Sequence, residues 1–319
     1  MSVKRVAALI CALVLLCTLA PAALAAQEDT VYIRKHVSLL YDNSGSMSMD
    51  LGNADNLKWC YGSYAAQAFA ALLNDMDTLT VTFMNSQEGD RLRDSVTGKL
   101  PLDMAADRQA QVSELLKETS WARGSTPVQS IDDALQVLLD KGLKADSQMD
   151  GTESFRAEQY WLVLTTDGVF DYSEPGVGNG ENLSREEVEN KLAQILEQYS
   201  NLQLVYFGIG TKEDDSDYKA VNFNRSDKLM AYPNFTAVYA EDQEKIVSTM
   251  QELSNRISGR YAVNSGVKVE DATVTMTISG ESSAVRNIGI LAQNTGATLK
   301  SARMKDGTPL RIVRSARLE

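Results

Sequence analysis

From residue 31 to about residue 258 the chain alternates two hydrophobic periods. Residues 31–41 are apolar and β-branched and predict a strand. Residues 57–73 carry Tyr61, Tyr64, Ala65, Ala68, Phe69, Leu72 and Leu73 at helical spacing. Leu79, Val81 and Phe83 alternate with Thr78, Thr80 and Thr82, the period of a strand with one polar face. Residues 105–117 and 127–141 predict helices, the second through Ile131, Leu135, Leu138 and Leu139. Residues 160–165 contain the unbroken run Trp161-Leu162-Val163-Leu164, as in a strand buried on both faces. A helix over 185–199, a second buried strand over 202–209, a short strand over 235–239 and a helix over 241–257 complete the series. The polar segment 91–96 is a candidate short edge strand. Strands alternating with helices imply an α/β domain over 31–258: a doubly wound, mostly parallel sheet with helices on both faces.

After Gly259 the texture changes. Residues 267–278, 285–291 and 297–304 are β-like, with Gly and Asn turns between them. At roughly 60 residues, the stretch 261–319 is small for an independent β-sandwich. It is either a small sheet appended to the first domain or the start of a longer region. Residues 1–26 differ again. Lys4 and Arg5 precede an uncharged apolar run, Pro21 breaks it, and Ala23-Leu24-Ala25 has the small-x-small pattern of a signal peptidase site. The segment reads as a signal peptide. An uncleaved anchor over residues 6–26 is the competing reading, because a spanning helix needs about 20 apolar residues. Either way the remainder is exported, to the cell envelope or beyond. No second long apolar stretch follows.

Composition narrows the function. Hydrophobic residues make up 44% and charged residues 23% of 319 positions, as in a globular chain, and the formal net charge is −12. That balance argues against binding a nucleic-acid backbone, which needs a basic face. Cys11 and Cys17 lie in the export segment, so Cys60 stands alone in the remainder and no internal disulfide staples it. On its helix Cys60 is expected to pack inside as a small hydrophobe.

The candidate chemistry sits at strand ends. The first strand runs into Asp42-Asn43-Ser44-Gly45-Ser46-Met47, and the Trp161 strand into Thr165-Thr166-Asp167-Gly168. In an open α/β sheet, ligands bind beyond the carboxyl ends of the strands. A third segment, Arg123-Gly124-Ser125-Thr126-Pro127, opens a helix. Asp42, Ser44 and Ser46 alternate, so an extended loop presents three oxygens to one side. With Thr126 and Asp167 the set is two carboxylates and three hydroxyls. Hard oxygen donors suit Mg²⁺, Mn²⁺ or Ca²⁺ rather than zinc. Mg²⁺ keeps open positions, which a partner's carboxylate can complete. Each piece also has a plain structural reading: a turn at 44–46, a helix N-cap at Thr126, and an Asp-Gly turn at 167–168.

Taken together, Asp42-x-Ser44-x-Ser46, the distant Thr126 in Gly-Ser-Thr-Pro, and Asp167-Gly168 after a buried strand resemble the metal-ion-dependent adhesion site of von Willebrand factor A domains, in wording close to bacterial members. The resemblance covers residues 31–258. It implies a doubly wound sheet with one antiparallel edge strand and a protein ligand bound through a divalent ion; from the donor set, Mg²⁺ is the first expectation for that ion, with Mn²⁺ or Ca²⁺ as alternatives. It further implies Ser44, Ser46 and Thr126 close to the metal, with Asp42 and Asp167 acting through water. The expected function is an extracytoplasmic, adhesion-type protein-binding module that takes an Asp or Glu of its partner. A non-adhesive scaffold or accessory subunit of an envelope assembly is the alternative.

An enzyme is the weaker expectation. His36 is the single histidine, there is no Gly-x-Ser-x-Gly or His-Glu-x-x-His, and Ser44 removes the second carboxylate of an Asp-x-Asp phosphatase loop. Residues 146–157 fail as an EF-hand because Ala157 stands where a Glu is required. The glycines at 176, 178 and 180 and the acidic run 213–217 read as polar loops.

Overall fold

A strand that is apolar on both sides must be covered on both sides, and the central strands of this chain obey that demand. The computed structural model describes residues 33–48, 58–74, 76–85, 105–118, 125–149, 158–174, 180–210, 223, 226–259, 267–270, 273–276 and 301–309. Strands β1 (Arg34–Tyr41), β2 (Thr78–Phe83), β3 (Glu158–Thr166), β4 (Leu202–Ile209) and β5 (Phe235–Ala240) form one five-stranded sheet. Its order is β2-β1-β3-β4-β5, and every pair is parallel. The helices are α1 (Lys58–Leu72), α2 (Ala105–Glu118), α3 (Gln129–Asp140), α4 (Arg185–Gln198), α5 (Asp227–Met230) and α6 (Gln243–Ser258).

The two-residue period of the strands divides the core. Val37, Leu39 and Tyr41, with Val163, Val205 and Phe207, pack with Phe69 of α1, Leu73 just past its end, Val112 of α2 and Met250 of α6. Their neighbours Leu40, Leu162, Leu164, Leu204 and Tyr206 pack with Ile131 and Leu138 of α3 and Leu192 and Leu196 of α4. The doubly wound α/β architecture expected from the sequence is thus present, with element boundaries within three residues of the pattern. Helix α5 was not anticipated; it is one turn, opened by Ser226, whose hydroxyl accepts from the Leu229 amide.

The described sheet is wholly parallel. The edge-strand candidate at 91–96, the export segment at 1–26 and the β-like stretch 285–291 lie outside the described residues. After α6 stops at Gly259, which takes the left-handed conformation at φ 66°, β6 (Val267–Glu270) and β7 (Thr273–Met276) form an antiparallel pair. Of the stretch 297–304, the described part holds one isolated bridge, from Arg303 to Pro309. Among the described residues no helix is long and apolar enough to cross a membrane.

One expectation about α1 is corrected: Cys60 is exposed. The buried side of α1 runs through Trp59, Gly62, Ala65, Ala66, Phe69 and Ala70. At about 100° per residue, Cys60 falls far around from the centre of that stripe. Where α1 crosses β1 its side chain is reduced to hydrogen: a Cβ on Gly62 would meet Tyr41 Oη at 2.5 Å.

Two outcomes follow from this packing. A maleimide should label Cys60 rapidly in the native protein, and labelling only on unfolding would contradict its outward position. Gly62→Ala should lower stability by about 1–2 kcal/mol, overpacking outweighing the helix propensity it gains. In a Tyr41→Phe background the same change should become neutral or stabilising in a denaturant titration, because the obstructing oxygen is gone.

Candidate functional site

The sheet order decides where the site lies. From β1 the chain moves outward to β2, then returns to the other side of β1 as β3. The loops that leave β1 and β3 therefore part to opposite faces, and a crevice opens between them. The β1–β3 ladder runs to Tyr41 beside Thr165 and is closed by the Asp42 amide donating to Thr165 O at 2.9 Å. Asp42 and Asp167 are thus the first groups beyond the ladder, one on each lip of the crevice. Both are buried, at 0% and 2% exposure.

After β1 the chain turns at once. Residues Gly45–Ser48 form a single 3-10 turn, and the Met47 amide donates to Ser44 O at 3.2 Å. The buried Met47 side chain pins that turn to the core. Asn43 ties it sideways to the end of β2: its amide donates to Asn85 O at 3.1 Å and its oxygen accepts from the Asn85 amide at 2.8 Å.

The turn aims three of the expected groups at the β3 loop. Ser44 Oγ lies 2.9 Å from Ser46 Oγ, and Ser46 Oγ donates to Asp167 Oδ1 at 2.7 Å. Asp42 Oδ1 accepts from the Ser44 amide at 2.7 Å, and its Oδ2 accepts from Thr166 Oγ1 at 2.6 Å and from the Asp167 amide at 3.4 Å. Asp42, Ser44, Ser46 and Asp167 are therefore one hydrogen-bonded cluster. Thr126 is not bonded into it. Its hydroxyl donates to Val169 O, two residues past Asp167. Nor does Thr126 cap a helix, since the N-cap of α3 is Val128, without a side-chain bond.

Three residues that the sequence reading passed over complete the arrangement. Thr166 supports Asp42, as above. Asp171 fastens the Thr126 segment to the β3 loop: its Oδ2 accepts from the Thr126 amide at 3.1 Å, and its backbone bonds both Thr126 O and the Val128 amide. Lys58, the first residue of α1, places Nζ 2.6 Å from Asp167 Oδ2, with its side chain largely buried. Sequence periodicity marks Asp171 and Thr166 only by their proximity to Asp167. Nothing in it marks Lys58, whose partner is 109 residues away.

Electrostatics follow from burial. The Asp42 carboxyl is pushed up to about 6, chiefly by desolvation and then by the nearby Asp167 charge, against the lowering effect of its hydrogen bonds from Thr166 and Ser44. Beneath the site, burial holds the Tyr41 and Tyr206 phenols above their ordinary range, and both carboxylates add to it. Two buried carboxylates face one ammonium, so the cluster carries an excess of negative charge when both are ionised. Its donors are carboxylate and hydroxyl oxygens, which fit a hard divalent cation. Among the described residues there is no group of three or more His, Cys, Asp and Glu side chains arranged for a metal, so a cation here must draw on the serines.

The rival features are accounted for elsewhere. His36 is buried in β1, with Nδ1 2.9 Å from Thr78 Oγ1 and its ring stacked on Tyr160 at 5.3 Å. Asp146, the start of the failed EF-hand, accepts from the Ser200 amide at 2.9 Å. A Cβ on Gly180 would meet Ser173 N at 2.1 Å, so this glycine permits a backbone crossing. Arg123, Gly176, Gly178 and the acidic run 213–217 lie outside the described residues.

No family model and no curated protein matches the sequence. Solved structures that it is similar to include a von Willebrand factor type A protein from Catenulispora acidiphila, at 15% identity and a TM-score of 0.47, covering 75% of this chain and 44% of that one. The PilB minor pilin from Streptococcus sanguinis is similar at 14% identity and a TM-score of 0.49, covering 71% of this chain and 62% of that one. Manganese-loaded TRAP protein from Plasmodium vivax is similar at 16% identity and a TM-score of 0.35, covering 70% of this chain and 73% of that one. The chain spans less than two thirds of the first two. Likeness of this degree transfers neither a ligand nor a role; the fold itself is a parallel α/β sheet of the doubly wound kind.

Proposed function

We propose that this chain is an exported protein-binding module of the von Willebrand factor A type. In this reading it engages its partner through a divalent cation at the crevice between β1 and β3. The observation that carries the proposal is the convergence of Asp42, Ser44, Ser46 and Asp167, from two loops 121 residues apart, into one buried oxygen cluster with unbalanced negative charge. Asp42, Ser44, Ser46 and Asp167 would hold the ion, with Thr126, whose segment Asp171 ties to the β3 loop, as the fifth oxygen donor. Mg²⁺ is the first choice by hardness and by its retention of open positions, with Mn²⁺ or Ca²⁺ as substitutes. The ion would supply a Lewis-acid position for an incoming carboxylate. The chain's own part is to fix the serine hydroxyls, exclude bulk water from the two aspartates and present the open side at the sheet edge.

A binding role fits better than catalysis. The single histidine is packed in β1, six residues before Asp42, so the serine hydroxyls of the cluster have no imidazole beside them, and the carboxylate that Ser46 meets is already paired with Lys58. Export rests on the pattern of residues 1–26.

Calorimetry of the protein with Mg²⁺ or Mn²⁺ should give one divalent site. Ser44→Ala with Ser46→Ala should weaken it by at least about tenfold while leaving both carboxylates in place; unchanged affinity would remove the serines from the site. Proteins captured from the host envelope in Mg²⁺ should be lost in EDTA. Equal capture in chelator would move recognition to another surface, such as residues 261–319, and favour the scaffold reading.

The raised Asp42 carboxyl gives a pH test with a definite sign. Its folded value, about 6, lies above the ordinary 3.8, so protonated Asp42 favours the folded state. That contribution is fully present below about pH 4 and is lost as pH rises through 6. In chelator, stability should therefore fall across this window by an amount on the order of 3 kcal/mol. Asp42→Asn, or saturating Mg²⁺, should flatten the slope. A denaturant titration that shows the same slope in wild type and Asp42→Asn would refute the assignment.

A further inference from the structure

Lys58 is the group in this site that a cation-binding role does not explain. Its ammonium sits 2.6 Å from Asp167 Oδ2, while Asp167 Oδ1 is bonded to Ser46 and through it to Ser44. The carboxylate that the serines would share with a divalent ion is thus already occupied on its other oxygen. Lys58 is also badly placed for its own helix. It is the first residue of α1, whose first turn holds no acidic side chain. A cation at that end opposes the helix dipole, which favours negative charge there. A Lys side chain in a first turn leans further toward that end. Its compensation is the bond to Asp167. A divalent ion among Ser44, Ser46 and Asp167 Oδ1 would lie within a few ångströms of this ammonium, in a buried setting where like charges are weakly screened. Both cations cannot share the carboxylate at low cost. The lysine stem has enough rotatable bonds to move its charge without moving the backbone.

We propose that Lys58 is a built-in competitor for the metal position: with no ion bound its ammonium neutralises Asp167, and loading of a divalent cation expels it toward solvent. This rests on the reading that the cluster binds a divalent ion. It adds that the affinity of that site is set low by a residue of the chain itself, so that occupancy follows the external ion concentration. Loading would then change the charge at the mouth of the crevice as well as inside it.

The test uses the full chain and Mn²⁺ alone as probe. Lys58→Met keeps the apolar stem and removes the competitor, so its Mn²⁺ dissociation constant in calorimetry should fall at least about tenfold relative to wild type. In the wild type, acetylation of Lys58 followed by mass spectrometry should be slow in chelator and several-fold faster at saturating Mn²⁺. The second measurement needs no variant and stands if Lys58→Met fails to fold. An affinity not improved in folded Lys58→Met, or Lys58 labelling that saturating Mn²⁺ leaves unchanged, overturns the competition while the metal site survives. Absence of Mn²⁺ binding in both wild type and Lys58→Met overturns the competition together with the metal reading.

Discussion

Two carboxylates buried side by side are the constraint around which the rest of the structure is arranged. Asp42 and Asp167 extend from adjacent central strands, and the parallel register that pairs Tyr41 with Thr165 leaves them no freedom to separate. Like charges in a desolvated crevice are unfavourable. Around them stand groups that answer that cost: the Ser44 amide and Thr166 hydroxyl on Asp42, and the Ser46 hydroxyl and Lys58 ammonium on Asp167. The charge answered by the protein is less than the charge present, and that imbalance is what makes a cation a sensible occupant.

Such an arrangement needs a rigid base. It has one, because β1 and β3 lie inside the sheet and are packed on both faces by separate apolar clusters. The loops above them are held by polar ties. Asn43 and Asn85 lock the β1 turn to the end of β2, and Asp171 locks the Thr126 segment to the β3 loop. At the opposite end of the sheet a different buried network does similar work. Arg108 of α2 donates to Asn74 O and Asp77 O, and Asp77 accepts from the Lys35 amide at the start of β1. Apolar packing thus sets the frame, and hydrogen bonds set the loops. A site placed on rigid strand ends with locked loops holds its donors ready without ordering them at the moment of binding.

The sequence by itself determined a good deal. Period-2 threonines in β2 and the unbroken Trp161–Leu164 run pointed to strands of an α/β sheet, although the threonine face of β2 is buried as well, which alternation alone does not reveal. The Asp42, Ser44, Ser46 and Asp167 set was legible because each follows a recognisable strand end, and the ends of parallel strands share one edge. What local pattern cannot carry is the direction and partner of a side chain. The apolar character of Cys60 suggests an inward position, yet the centre of the buried stripe of α1 falls elsewhere once α1 packs on the sheet. Thr126 had the chemistry of a helix cap and of a metal ligand; the fold turned its hydroxyl to Val169 O, because Asp171 holds the neighbouring backbone in place. Lys58 looked like any charged residue opening a helix. Only the packing of α1 against the sheet brings the ammonium of its first residue to Asp167, and an encounter between residues so distant in sequence belongs to tertiary structure alone.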